Sequence, residues 1–265
     1  MIDFHNHIIP NLDDGPKTMD IALSMAKTAE KQGIKKIINT VHFNHPKMIG
    51  KKINFEIVDK AVKKFQQELI NNNINIEIDF ASEVFFTNDL LDVVKEKIAT
   101  FGNGKYILVE FLPNRIPSIH KEIFFELKMN NITPIIAHPE RYKAVQNNYQ
   151  IIYDWLYAGC LIQLDAGSII GSFGKKCQKL SQKIVNDGLF QIIGSDAHDN
   201  KKRNFCLKET IQFVKLNMGL DISDSVSTNP QKILSGIDFE TDIGDYDIKE
   251  LNLYDKIINK IKSYF

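Results

Sequence analysis

An excess of charge of either sign is missing. Lys plus Arg and Asp plus Glu each number 33 in this chain of 265 residues, a formal net charge of zero. Without a basic excess or a basic stripe, extended contact with nucleic acid or an anionic membrane surface is not expected. Cysteine is scarce. Cys160, Cys177 and Cys206 are odd in number and lack Cys-x-x-Cys spacing, so they read as reduced thiols of a cytoplasmic protein and not as a disulfide framework. No apolar run approaches the length of a membrane span, and the stretch 151–164 is interrupted by Asp154 and Gln163, so no stable membrane insertion is expected. Met1 leads straight into a strand-like run, which argues against a signal peptide. There is also no Pro/Gly linker, low-complexity segment or composition break. One domain over residues 1–265 is therefore expected, long enough for a single α/β barrel.

What is present is an alternation of short apolar runs with longer helical patterns. Ile2-Asp3-Phe4 reads as a first strand. Thr18 can cap a helix to Gln32, with Ile21, Met25, Ala26 and Ala29 on its inner face and Gly33 as its stop. Strands follow at 36–40, 74–82, 106–109, 134–137, 161–164 and 190–194. Helices are expected at 54–72, 88–99, 118–130, 149–158, 175–186 and 203–216. The period-two alternation of 74–82 suggests a strand near a sheet edge. Seven strand–helix units imply a parallel sheet, and their number suggests a distorted (β/α)7 barrel. No Gly-rich turn follows the first strand to favour an open doubly wound sheet. Beyond Asn229-Pro230 the signal weakens: residues 237–246 are acidic, and 251–265 read as a short basic amphipathic helix.

The carboxyl ends of these strands carry a recurrent chemistry. The first delivers His5 and His7, with Asp13 and Asp14 in its loop. The second delivers His42, the third Glu83, the fourth Glu110, the fifth His138, and the seventh Asp196 and His198. In a parallel barrel these ends converge on one face. A lone histidine at a strand end is ordinarily a hydrogen-bonded loop residue, and a lone carboxylate a solvated strand end. Several carboxylates gathered at one mouth repel one another, and cations are their natural neutralisers. Five histidines and four carboxylates are too many for one ion and suit two or three. Imidazole with carboxylate and no thiolate fits Mn, Fe or Zn better than Ca or Mg. Clustered ions of this kind serve hydrolysis of phosphate esters. Arg141 and Arg203 lie close to the ligand positions in sequence and can clamp a phosphoryl group; a surface ion pair is the plainer use of each. The segment Gly171-Ser172-Phe173-Gly174-Lys175 precedes a helix and offers backbone N–H groups to an anion, or serves as a simple loop. His45 and His120 read as ordinary, and Asp165 is set aside.

The combination of Met1-Ile2-Asp3-Phe4-His5-Asn6-His7, Asp13-Asp14-Gly15, Tyr106 through Phe111, Ile136-Ala137-His138-Pro139-Glu140-Arg141-Tyr142, Ser195-Asp196-Ala197-His198 and Arg203-Asn204-Phe205 resembles the polymerase-and-histidinol-phosphatase (PHP) superfamily. Within it, the chain is most similar to the bacterial tyrosine phosphatases associated with capsule and exopolysaccharide synthesis. The resemblance runs from Met1 to about Leu234, with residues 235–265 weakly matched. It implies a distorted (β/α)7 barrel with a trinuclear, often manganese-dependent centre. His5, His7, Glu83 and Asp196 would hold one ion, Glu83, Glu110 and His138 a second, and Asp14, His42 and His198 a third. Arg141 and Arg203 would bind phosphate and serve catalysis. The implied reaction is hydrolysis of phosphotyrosine by a metal-activated water, without a phosphoenzyme. The implied partner is the tyrosine-rich tail of a bacterial tyrosine kinase, with oligomerisation left open. The alternatives are a histidinol-phosphatase or another PHP phosphomonoesterase, a PHP nuclease, and a metal-bound regulatory protein without turnover. The cysteine route to phosphotyrosine needs an arginine six positions after the nucleophile, where this chain has Ala166, Lys183 and Gln212.

Overall fold

Each apolar run that ends in a candidate ligand forms a strand in the computed structural model, which describes residues 1–239. The strands are β1 (Ile2–Asn6), β2 (Lys36–Phe43), β3 (Glu77–Phe85), β4 (Tyr106–Glu110), β5 (Thr133–Ala137), β6 (Leu161–Asp165) and β7 (Ile192–Gly194). All neighbouring pairs are parallel, in the order β1-β2-β3-β4-β5-β6-β7. Parallel neighbours require crossovers, and helices supply most of them. The sheet curls until its two edges meet only at the carboxyl end. There the His7 amide donates to the Ala197 carbonyl (2.9 Å) and the Asp196 amide to the His5 carbonyl (2.7 Å). The result is a nearly closed, distorted (β/α)7 barrel, as expected.

The first two long helices start where the sequence places capping side chains. Thr18 Oγ1 accepts from the Ile21 amide and opens the helix Met19–Lys31. Asn54 Oδ1 accepts from the Ile57 amide and opens Phe55–Asn71. Their apolar faces, with Met25 and Ala26 on one and Val58 and Phe65 on the other, pack against the outer face of the sheet. The barrel interior is a separate apolar layer that includes Phe4, Ile38, Leu108, Ile135, Leu161 and Ile192. Phe101 stacks on Phe4 at 4.3 Å between ring centroids, and Ile233 joins the same layer.

β1 has one device that the apolar pattern hides. Asp3 pairs with Ile37 but Asn6 with Asn39, so three steps on β1 match two on β2. This extra residue lets Phe4 fill the barrel interior while His5, directly next to it, faces the mouth. Opposite His5, Gly194 leaves no room for a side chain: a Cβ there would lie 2.5 Å from the His5 Cβ.

Three expectations are corrected. β3 is an interior strand, flanked by β2 and β4. Its alternation arises because Glu77 and Asp79 share the parity of Glu83 and sit at the open amino end of the barrel, where Lys36 lies 2.6 Å from Glu77 and 3.8 Å from Asp79. The helix expected at 88–99 shrinks to Leu90–Val93, and the chain then turns to carry Phe101 into the barrel interior. The helix expected at 203–216 runs instead over Leu207–Met218. Asp199 Oδ1 accepts from the amides of Lys201 and Lys202 and holds this stretch as a loop. The basic helix read at 251–265 lies outside the described residues, as does the acidic stretch from residue 240 onward.

Candidate metal centre

The parity of each strand aims its last inward residue at the carboxyl-end mouth, and all nine residues read as ligands meet there. Their atoms fall into four overlapping groups, each with donor atoms within 4.8 Å of one another: His7, Asp14, His42 and His198; His5, His7 and Asp196; His5, Glu83 and His138; and His42, Glu83 and Glu110. His5 Nε2 lies 3.3 Å from Glu83 Oε1 and 3.5 Å from Asp196 Oδ1. His7 Nε2 lies 3.4 Å from both Glu83 Oε2 and Asp196 Oδ1. The nitrogens His42 Nε2 and His198 Nε2 approach Asp14 Oδ1 at 3.4 and 3.1 Å. His138 Nε2 is 2.9 Å from Glu83 Oε1 and 3.8 Å from Glu110 Oε1.

Most of these separations are too long for charge-assisted hydrogen bonds, which run at about 2.7–2.9 Å. They match the edges of a coordination polyhedron: donors about 2.1 Å from a shared ion stand roughly 3.0–3.4 Å apart. His5 Nε2, His7 Nε2, His42 Nδ1, Asp14 Oδ1, Glu110 Oε2 and Asp196 Oδ1 are buried without a hydrogen-bond partner. Native structures rarely tolerate so many orphaned polar atoms in one place, so the donor set fits divalent ions.

The ring nitrogens facing away from the cluster fix the tautomers. His7 Nδ1 donates to Asp13 Oδ2 (2.6 Å), His5 Nδ1 to Gln163 Oε1 (2.9 Å) and His198 Nδ1 to the Asp196 carbonyl (2.9 Å). Each leaves Nε2 with its lone pair turned inward. Burial opposes the charge of Asp13, but His7 outweighs it and holds this carboxyl down at about 2. Burial and the adjacent Glu83 push Glu110 up to about 8, the signature of carboxylates crowded together. His138 and Asp196 adopt left-handed backbone at φ 32° and 47°, a conformation that non-glycine residues hold only under constraint.

Arg141 and Arg203 meet at the far oxygen of Asp196. Arg141 Nη1 donates to Asp196 Oδ2 at 2.5 Å and its Nη2 pairs with the buried Asp165, while Arg203 Nη2 also donates to Asp196 Oδ2. Phe173 lies under both guanidiniums, 3.9 Å from Arg141 and 5.6 Å from Arg203. The Nε groups of both arginines are buried donors without an acceptor, beside the cavity that Asp14, Glu83, Glu110 and His198 also line. Asp196 thus faces the imidazoles with one oxygen and the guanidiniums with the other.

Several participants escaped the reading of the sequence. Asp13 and Gln163 orient histidines. Gln163 occupies an inward position between Leu161 and Asp165, and that polar parity is the signal that would have revealed it. His45, read as ordinary, is buried beside the cluster: its ring lies 4.7 Å from that of His42, and its Nε2 is 3.4 Å from Glu110 Oε2. Asp165, set aside, pairs with Arg141 and caps the helix Ala166–Ile170 through the Ser168 amide. His120 is part of an aromatic cluster with Phe111, Phe124 and Trp155, away from the site. The 171–175 loop contributes the Phe173 ring to the arginines. Burial pushes the Cys160 and Cys206 thiols up to about 12 and raises the part-buried Cys177 as well, so none of the three is an activated thiolate.

The role of Asp13 is testable. Asp13→Asn should lower metal affinity by about 10- to 100-fold, read by titrating the apo protein with the ion. Unchanged affinity would show that the bond to His7 is incidental.

A parallel barrel with imidazole–carboxylate clusters that could hold metal ions, and paired guanidiniums at its carboxyl mouth, has the architecture of a metal-dependent hydrolase. Residues 1–235 match the family described as capsular polysaccharide synthesis, CpsB/CapC, and the chain belongs to that family. It is 32% identical over 255 residues to the putative tyrosine-protein phosphatase CapC of Staphylococcus aureus, covering 94% of this chain and 97% of the relative. It is 30% identical over 235 residues to the tyrosine-protein phosphatase YwqE of Bacillus subtilis (strain 168), covering 88% and 91%. A solved structure from work on YwqE of Bacillus subtilis and CpsB of Streptococcus pneumoniae, described as unique metal-dependent tyrosine phosphatases, superposes with a TM-score of 0.85. It has 29% identity and covers 92% of this chain and 98% of its own.

Proposed function

We propose that this chain is a metal-dependent protein-tyrosine phosphatase, EC 3.1.3.48, that hydrolyses phosphotyrosine on a protein. The observation that carries the reading is the meeting of orphaned imidazole and carboxylate atoms with two guanidiniums whose Nε donors lack acceptors. The names of the relatives support the substrate.

In this reading His5, His7, Glu83 and Asp196 hold one ion, Glu83, Glu110 and His138 a second, and Asp14, His42 and His198 a third. Manganese suits this donor set, as do iron and zinc. When bound, the ions supply positive charge for the phosphoryl oxygens and a water acidic enough to ionise near neutral pH. Arg141 and Arg203 bind the phosphoryl group through their free Nε donors, and Asp196 and Phe173 keep both guanidiniums in place. The tyrosine phenol, with an ordinary pKa of about 10, leaves without a dedicated strong acid. The physiological substrate in this reading is the phosphorylated tail of a bacterial tyrosine kinase governing capsule or exopolysaccharide synthesis. The place of action is the cytoplasm. No helix among the described residues is long and apolar enough to cross a membrane.

The test is an assay of the Mn²⁺-loaded protein on a phosphotyrosine peptide, histidinol phosphate and single-stranded DNA, each with and without EDTA. Turnover of the peptide that EDTA abolishes is the expected result. Turnover indifferent to chelation removes the metal mechanism, and a preference for histidinol phosphate changes the substrate.

A further inference from the structure

A second cavity, of about 240 Å³, opens beside the mouth between the loop after β6 and the loop after β7. Its walls include Phe173, Lys201, Lys202, Arg203, Asn204 and Glu209. Arg203 also lines the cavity over the candidate metal centre, so one guanidinium joins the two spaces. Of the three cations here Arg203 is already paired with Asp196, which leaves Lys201 and Lys202 against one carboxylate of the lining, Glu209. Neither Lys201 nor Lys202 has a carboxylate partner among the described residues, and both are exposed. Their backbone is fixed all the same, because both amides donate to Asp199 Oδ1 at 2.6 and 2.7 Å. The centre of the mouth is rich in carboxylates, whereas this flank is cationic and continuous with it.

We infer that this pocket is a subsite for an acidic side chain flanking the phosphotyrosine of a peptide substrate. The inference rests on the phosphotyrosine reading above. A phosphoryl group held by Arg203 brings the adjoining peptide across Phe173. A neighbouring Asp or Glu then enters a space where the exposed Lys201 and Lys202 outnumber the single carboxylate of the wall, Glu209. The lysines are solvated, so the preference is moderate and sensitive to salt. They bind the flank equally in the ground and transition states, so the effect falls on KM and leaves kcat unchanged.

The experiment uses the Mn²⁺-loaded full chain and four substrates: free phosphotyrosine and three phosphopeptides that differ only in an acidic, alanine or lysine flank. The acidic peptide is expected to have a kcat/KM about 3- to 10-fold above that of the alanine peptide, through KM, with the advantage shrinking as salt is raised. The double variant Lys201→Glu/Lys202→Glu should lose that preference and favour the lysine peptide, with free phosphotyrosine turned over as before. Equal KM for the three peptides overturns the inference while leaving the phosphatase reading intact. So does an acidic preference that survives the double variant. No turnover of any of the four substrates overturns the phosphatase reading and the subsite with it.

Discussion

Glu83→Gln should leave a folded protein with roughly a thousandth of its turnover and fewer metal ions per chain. The carboxylate is buried at the tip of β3 and faces four imidazoles. Its Oε1 lies 3.3 Å from His5 Nε2 and 2.9 Å from His138 Nε2; its Oε2 lies 3.4 Å from His7 Nε2 and 3.1 Å from His42 Nδ1. Both of its oxygens are thus engaged, each by two of the imidazoles. Burial works against the charge of Glu83, but His5 and His42 hold it well below the ordinary carboxylate range. It therefore stays anionic across the neutral range. Glutamine keeps the shape and one oxygen but removes the charge and places an NH₂ group where the second oxygen stood. Loss of one such electrostatic element in a water-poor site costs about 10²–10³ in rate. In the proposed assignment Glu83 would serve two ion positions, which sets the expectation at the upper end. Elemental analysis of the purified variant and kcat on a phosphotyrosine peptide are the two measurements, with circular dichroism as the control for folding. A variant that keeps its metal and more than a tenth of its turnover would show that Glu83 is not the bridge.

The ends of the strands were readable in the sequence because ligand chemistry and strand geometry impose the same constraint. His42, Glu83, Glu110 and His138 each follow an apolar run, and a parallel barrel has no other place for such residues than its carboxyl mouth. The partners of those residues were harder to see. Asp13 resembles any acidic turn residue until its 2.6 Å bond to His7 is known. His45 stands in the loop after β2, where the left-handed Asn44 at φ 58° helps to set its position. No periodicity governs such a turn. The edge placement expected for β3 failed for a related reason: alternation reports that one face of a strand meets water, and the open amino end of a barrel does this as well as a sheet edge. The bulge in β1 was invisible because apolar and polar residues both belong inside this barrel, at different heights. Phe4 and His5 are neighbours that the pleat alone would send to opposite faces.

Arg141→Ala should reduce kcat/KM by about 10²–10³ and also destabilise the fold, and the two losses have separate origins. The catalytic loss follows from the unpartnered Nε donor and from the grip on Asp196 Oδ2 at 2.5 Å. The stability loss follows from Asp165. That carboxylate is completely buried and is paired with Arg141, while its Oδ1 caps the helix Ala166–Ile170. Without Arg141 it becomes a buried charge with no counterion, a change that costs about 3–5 kcal/mol. A second substitution separates the effects. Adding Asp165→Asn to Arg141→Ala removes the stranded charge and keeps an oxygen for the cap, so most of the stability should return in urea unfolding while activity stays low. Arg141→Lys should recover little activity, because one ammonium cannot span Asp165 and Asp196 while presenting a further donor to phosphate. The arginine and both carboxylates act as one unit, so the costs of removing Arg141 and Arg203 should fall short of additive. Full activity in Arg141→Lys would mean that only charge is needed at this position. Stability left unrestored by Asp165→Asn would place the damage in lost packing against Phe173.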